Sequence, residues 1–120
     1  MRQLLALLLA ALAALFSATA AGGEADFTLV NGTGYTISEV YIAPSKSRKW
    51  GNDRLGDGEL NNGRSKLFKF SDSANCVQDI QVVFKDDGSE VIWENLDLCE
   101  INKLTLRYNR ATKTVTAIKE

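Results

Sequence analysis

Two cysteines, Cys76 and Cys99, stand at the outer ends of a hairpin pattern. The run from Cys76 to Lys85 is rich in β-branched residues and alternates in polarity; Asp86-Asp87-Gly88-Ser89 follows, and Glu90 to Cys99 alternates again. An Asp-Gly step between two such runs signals a tight reversal, because glycine accepts the positive φ the turn needs. A disulfide across the feet would brace the hairpin, and the remaining strands would be laid around it. By the period of two, Cys76, Gln78, Ile80, Val82 and Phe84 share one face, inward-facing beyond Gln78, and Val77, Asp79, Gln81, Val83 and Lys85 the other. On the return leg Val91, Trp93 and Asn95 are expected on one side, with Ile92, Glu94 and Leu96 opposite.

Whether those thiols pair depends on compartment, and the N-terminus speaks to that. Arg2 is followed by an unbroken apolar run from Leu4 to Phe16, then Ser17-Ala18-Thr19-Ala20. This is the pattern of a cleaved signal peptide, residues 1–20, with cleavage near Ala20. The run of about 13 apolar residues is too short to span a membrane, so no insertion is expected after cleavage. A periplasmic or secreted location follows, and in an oxidising compartment two cysteines most simply pair. Cys-x-x-Cys spacing, the mark of redox work, is absent.

Residues 21–26 read as a flexible lead-in and 27–120 as a single domain, large enough for one core. Its first strand covers Phe27 to Asn31, and the chain turns at Asn31-Gly32-Thr33-Gly34. A second covers Tyr35 to Ala43, with a slip in alternation at Ser38-Glu39 that partial cover of both faces or a β-bulge would explain. Pro44 ends it, and Lys46 to Trp50 is a candidate short edge segment. Lys66 to Ser71 is the next strand, with Phe68 and Phe70 on one face. After the hairpin come a strand with Leu104, Leu106 and Tyr108 in alternation and a last one over Thr114 to Ile118. About seven short strands without a helical period predict an all-β fold: an antiparallel β-sandwich, immunoglobulin-like or of related Greek-key form, preceded by the cleaved signal helix.

The chain contains no histidine. That removes Ser-His-Asp and Cys-His mechanisms and the usual zinc, copper and non-haem iron ligand sets. With the cysteines paired no thiol nucleophile remains, and no phosphate-binding glycine motif is present. An enzyme built on paired carboxylates is the one catalytic class left, and the expectation is a non-enzymatic protein. Arg2 lies in the leader, so the mature chain keeps 13 basic and 15 acidic residues, a balance of −2. Scattered charge of that size argues against nucleic acid or an anionic surface as partner.

Candidate binding residues cluster in the irregular stretch 50–63. Trp50, Asp53, Arg54, Asp57 and Glu59 lie there among four glycines, and an aperiodic loop that long in a small domain is usually functional or disordered. It is the expected site for a protein partner or small ligand. Asp53, Asp57 and Glu59 also offer oxygen ligands to Ca²⁺, although Leu55 and Arg64 stand where an EF-hand would need ligands. No other cofactor is implied. Asp86, Asp87 and Glu90 read as hairpin-turn residues, Trp93 as core, Trp50 as the anchor of its loop, and Lys46, Arg48, Lys49 and Arg54 as too weak a basic patch for nucleic acid.

The ordered string Asn31-Gly32-Thr33-Gly34, Tyr41-x-x-Pro44-Ser45, Trp50-Gly51-x-Asp53-x-Leu55-Gly56, Cys76-x-x-Asp79-Ile80, Asp87-Gly88 and Leu98-Cys99 resembles a group of small secreted bacterial β-rich proteins of unknown function. The resemblance covers nearly the whole mature chain. It implies a Gram-negative exported protein with a cysteine pair, and it assigns no activity or functional residue. It also implies that Trp50 to Gly56 is a shaped element: a turn at Gly51 and a cap from Asp53 would fold Trp50 and Leu55 back on the sandwich.

Overall fold

A computed structural model describes residues 23–120; the signal-peptide pattern of residues 1–20 lies outside the described residues. Seven strands form: β1 (Phe27–Gly32), β2 (Ile37–Pro44), β3 (Ser65–Phe68), β4 (Val77–Phe84), β5 (Glu90–Asp97), β6 (Lys103–Asn109) and β7 (Thr114–Lys119). They make two sheets, a four-stranded one in the order β3-β1-β6-β7 and a three-stranded one in the order β2-β4-β5. Alternation builds the core between them. Phe27 and Leu29 of β1, Ile80 and Val82 of β4, and Leu104 and Leu106 of β6 are buried in one continuous cluster with Ile37, Val40 and Ile42 of β2. The fold is therefore the all-β sandwich expected, with one addition. β1 and β6 pair in parallel, Leu29 beside Leu104, while the other four strand pairs are antiparallel.

Two bulges set which side chains reach that core. In β2 the register against β4 shifts between Ile37 and Glu39, so Ser38 is the extra residue, and its hydroxyl donates to the Val83 carbonyl at 3.2 Å. The slip in alternation at Ser38-Glu39 is this bulge, and it lets Ile37 and Val40 both point inward. A second bulge, unforeseen in the sequence, lies in β5. Gln78 faces Leu96 while Ile80 faces Trp93, leaving Glu94 and Asn95 opposite the single residue Asp79. Asn95 takes φ 57°, a conformation asparagine tolerates better than most side chains. Its N–H donates to the Asp79 carboxylate at 2.8 Å. The extra residue reverses the faces beyond it: Val91 and Trp93 pack on the core, and then Leu96, expected on the outer side, is buried with them.

Other boundaries shift for local reasons. The segment 46–50 is not a strand; Lys46 takes φ 73° and turns the chain out of β2. Residues 23–26, expected to be flexible, are tied down: Ala25 is buried in the core, and the Asp26 carboxylate accepts the Phe70 N–H at 2.7 Å and the Gly23 N–H at 3.0 Å. Gln81, placed on the outer face as expected, is nonetheless buried, its amide donating to Glu90 at 2.8 Å.

Cys76 and Cys99 are bonded, their Cα atoms 5.2 Å apart, and Leu98 donates its N–H to the Cys76 carbonyl at 2.8 Å beside the bridge. The disulfide joins the feet of the β4–β5 hairpin within one sheet, at the point where the chain leaves for β6. Closing a loop of this length removes unfolded-state entropy equivalent to about 3 kcal/mol. Replacing both cysteines with alanine should lower unfolding stability by about that amount in urea titration under oxidising conditions; unchanged stability would show that the bridge braces nothing.

Candidate functional site

The 50–63 loop is part of the scaffold. Gly51 at φ 76° makes the expected turn, and Asp53 is the cap: its Oδ1 accepts the Val40 N–H at 2.9 Å and the Leu55 N–H at 3.0 Å. Arg54 donates its N–H to the Val40 carbonyl at 2.7 Å, and Leu60 exchanges two backbone bonds with Ile37, at 2.9 and 3.0 Å. These bonds cover part of the free edge of β2. Leu55 and Leu60 drop into the core. Trp50 is half-buried but is not among the side chains packed on the core, so Leu55 carries more of the anchoring than Trp50 does.

Asn31 is the residue on which this arrangement turns. It lies on β1 at the inward position after Phe27 and Leu29 and is fully buried. Its Nδ2 donates to the carbonyls of Tyr35 at 2.7 Å and Leu60 at 2.9 Å, and its Oδ1 accepts from the N–H and hydroxyl of Thr33. Its backbone bonds Gly63 and Arg64. One amide thus fastens the β1–β2 turn to the end of the loop. Sequence reading placed Asn31 at the end of the first strand and in the turn motif that follows, without a functional or structural role; the missed signal was a polar residue at a core-facing position of that strand.

Of the remaining loop residues, Asp57 and Glu59 are exposed, as is Arg54, whose guanidinium lies 5.2 Å from the centre of the Phe70 ring. Asp53, Asp57 and Glu59 do line one shallow depression, with Glu39 and Lys85. Their carboxylates do not converge as a cation cage. Among the described residues, the one set of three acidic or cysteine side chains with ligand atoms within 4.8 Å of each other is Glu24, Cys76 and Cys99. That set spends both sulfurs on the disulfide. Asp53 gives one oxygen to two backbone N–H groups, and Glu59 pairs with Lys85 at 3.0 Å.

The larger concavity is elsewhere. A cleft of about 730 Å³ opens between the turns 33–36, 85–89 and 110–113. Phe84, Val91 and Val115 give it an apolar floor, Tyr35 and Tyr108 an aromatic wall, and Asp86, Asp87, Glu90 and Lys113 a charged rim. The tyrosine rings meet edge to face, with centres 5.5 Å apart. Tyr35 is 39% exposed, so its ring is open to solvent and not spent on the core. Hydrogen bonds from Ser89, its hydroxyl first and its N–H second, hold the Asp87 carboxyl below the usual carboxylate range, so this turn keeps its negative charge into mildly acidic solution.

No protein-family model, curated protein or solved structure matches this chain. The loop and Asn31 make a stability prediction. Asn31→Ala removes one of two bonds to each of the Tyr35 and Leu60 carbonyls, leaves the Thr33 N–H without its acceptor and opens a gap in the core; it should cost about 3 kcal/mol, while Asp53→Ala should cost about 1–2 kcal/mol, both read from urea unfolding. A loss under 0.5 kcal/mol for Asn31→Ala would show that the amide is not the fastening.

Proposed function

We propose that the chain is an exported, non-catalytic binding module of the periplasm or exterior, and that its ligand, a small molecule or a segment of a protein, sits in the cleft walled by Tyr35 and Tyr108. The cleft itself carries this reading. Its volume of about 730 Å³ falls in the range of small-ligand sites, and it combines an apolar floor with a few polar groups at the rim, the usual composition of such sites. The disulfide suits an oxidising compartment. A chain with no histidine and both cysteines bridged supports the non-catalytic part of the reading. The 50–63 loop enters as support. The depression it lines shares Phe84 and the flank of the β4–β5 turn with the cleft, leaving Asp57 and Glu59 as its outward-facing contacts.

Fragment screening by amide chemical-shift mapping tests this reading. Shifts are expected to concentrate at Tyr35, Val91, Tyr108 and Val115, and Tyr35→Ala should weaken a bound fragment by about tenfold, the worth of one aromatic contact, with the fold unchanged. Shifts confined to residues 50–63 would move the site to the loop, and shifts nowhere would remove the reading. The alternative of Ca²⁺ held by Asp53, Asp57 and Glu59 leaves Asp53 one oxygen, the other being held by two backbone N–H groups, and requires Glu59 to give up its lysine. Calorimetric titration with millimolar Ca²⁺ is accordingly expected to give no binding heat, and a saturable isotherm would reinstate that site.

A further inference from the structure

The cysteine bridge has a carboxylate beside it. One oxygen of Glu24 and the sulfurs of Cys76 and Cys99 all lie within 4.8 Å of one another. Neither cysteine is fully buried and Glu24 is exposed, so the group sits at the surface of the domain.

Glu24 is held there by its neighbours. Gly23 backs so closely on the chain after β3 that a β-carbon at that position would stand 2.5 Å from the Phe70 carbonyl oxygen. The Asp26 carboxylate bonds the N–H groups of both Gly23 and Phe70, and Ala25 is buried in the core. Glu24 is the one exposed residue of 23–26, and its carboxylate falls at the bridge. The chain around the cysteines adds acid and no base. Within three residues of either one stand Asp79, Asp97 and Glu100, without a lysine or arginine. Asp97 accepts the Cys99 N–H at 3.1 Å.

Reduction of such a bridge by a thiol is attack by an anion. The thiolate bonds to one sulfur as the S–S bond breaks, and the electron pair leaves on the other cysteine. A second thiolate then attacks the mixed disulfide and frees the first cysteine. Two reagent thiols end as one disulfide, and the two cysteines take up the protons those thiols lost. Negative charge is spread over three sulfurs in each transition state and ends on a cysteine thiolate. A carboxylate beside both sulfurs opposes that charge whichever cysteine is attacked.

We infer that Glu24 is an electrostatic guard of the bridge. It slows thiol–disulfide exchange at Cys76–Cys99, and slows it most for thiols that carry further negative charge. The brace of the β4–β5 hairpin is thereby kept against small acidic thiols and is less protected from cationic ones.

Reduction of the folded chain by two small thiols of opposite charge, 3-mercaptopropanoate and cysteamine, tests this. Glu24→Gln should speed reduction by mercaptopropanoate about threefold in buffer of low ionic strength, the scale of one unit charge at this distance in water. It should leave reduction by cysteamine nearly unchanged, because the ammonium of that thiol offsets its thiolate. The gain should fade in about 0.5 M salt, where the Debye length is shorter than the contact. Glu24→Lys should speed the mercaptopropanoate reaction further, and Glu94→Gln, the same charge change at the β5 bulge, should speed it less than Glu24→Gln does. An unchanged mercaptopropanoate rate in Glu24→Gln overturns the inference. So does an equal gain with both thiols, which marks a loosened fold, or an equal gain from Glu94→Gln, which marks net charge alone.

Discussion

The side-chain amide of Asn31 is the interaction on which most of the remaining structure leans. A buried polar group is tolerated only when its hydrogen bonds are met, and an amide with both N–H groups and its oxygen satisfied is directional in a way that apolar contact is not. Here the bonds run to the β1–β2 turn on one side and to Leu60 on the other. Leu60 in turn is bonded to Ile37, the first residue of β2. The passage of the chain from one sheet to the other and the end of the long loop are thus fixed by a single group. A leucine at this position would fill the same space and specify neither.

Much of this architecture was legible because period-two alternation dominates the strands. Phe27 and Leu29, Ile80 and Val82, and Leu104 and Leu106 each announce an inward face, and the Asp-Gly turn and the two cysteines frame the hairpin. The bulge at Ser38 left a visible slip in that alternation. The bulge in β5 left none, because Glu94 and Asn95 together look like one more polar position, and only the Asp79 carboxylate waiting across the ladder reveals that an extra residue is housed there. The parallel β1–β6 pair was equally hidden: strand direction between distant segments has no local signature. For the candidate site, the carboxylates of the loop were visible, but the partners they hold were not. Asp53 is spent on backbone N–H groups, whereas the cleft is assembled from three turns far apart in sequence, and nothing in any one of them points to the others.

The sandwich is closed unequally. On the side of β2 the loop seals the gap with Leu55 and Leu60. On the side of β5 and β7 the inward-facing residues Val91, Trp93, Val115 and Ala117 are only half-buried, although they pack on the same core. The chain commits its long insertion to one flank and leaves apolar and aromatic side chains in contact with water on the other, where the cleft opens. The covered flank and the open flank are two sides of one small core.

The parallel pairing of β1 with β6 also governs the order in which the fold can be completed. β1 leaves the ribosome first, yet it is an interior strand of its sheet, flanked by β3 and β6, and its neighbour in sequence, β2, belongs to the other sheet. Until Lys103 to Arg107 exist, one whole side of β1 has no backbone partner, and closing that contact spans most of the domain. The β4–β5 hairpin, by contrast, needs only its own residues and is kept by its disulfide. A chain released before β6 therefore holds a finished hairpin and an unpaired, apolar β1, the condition in which stray strand pairing is most damaging.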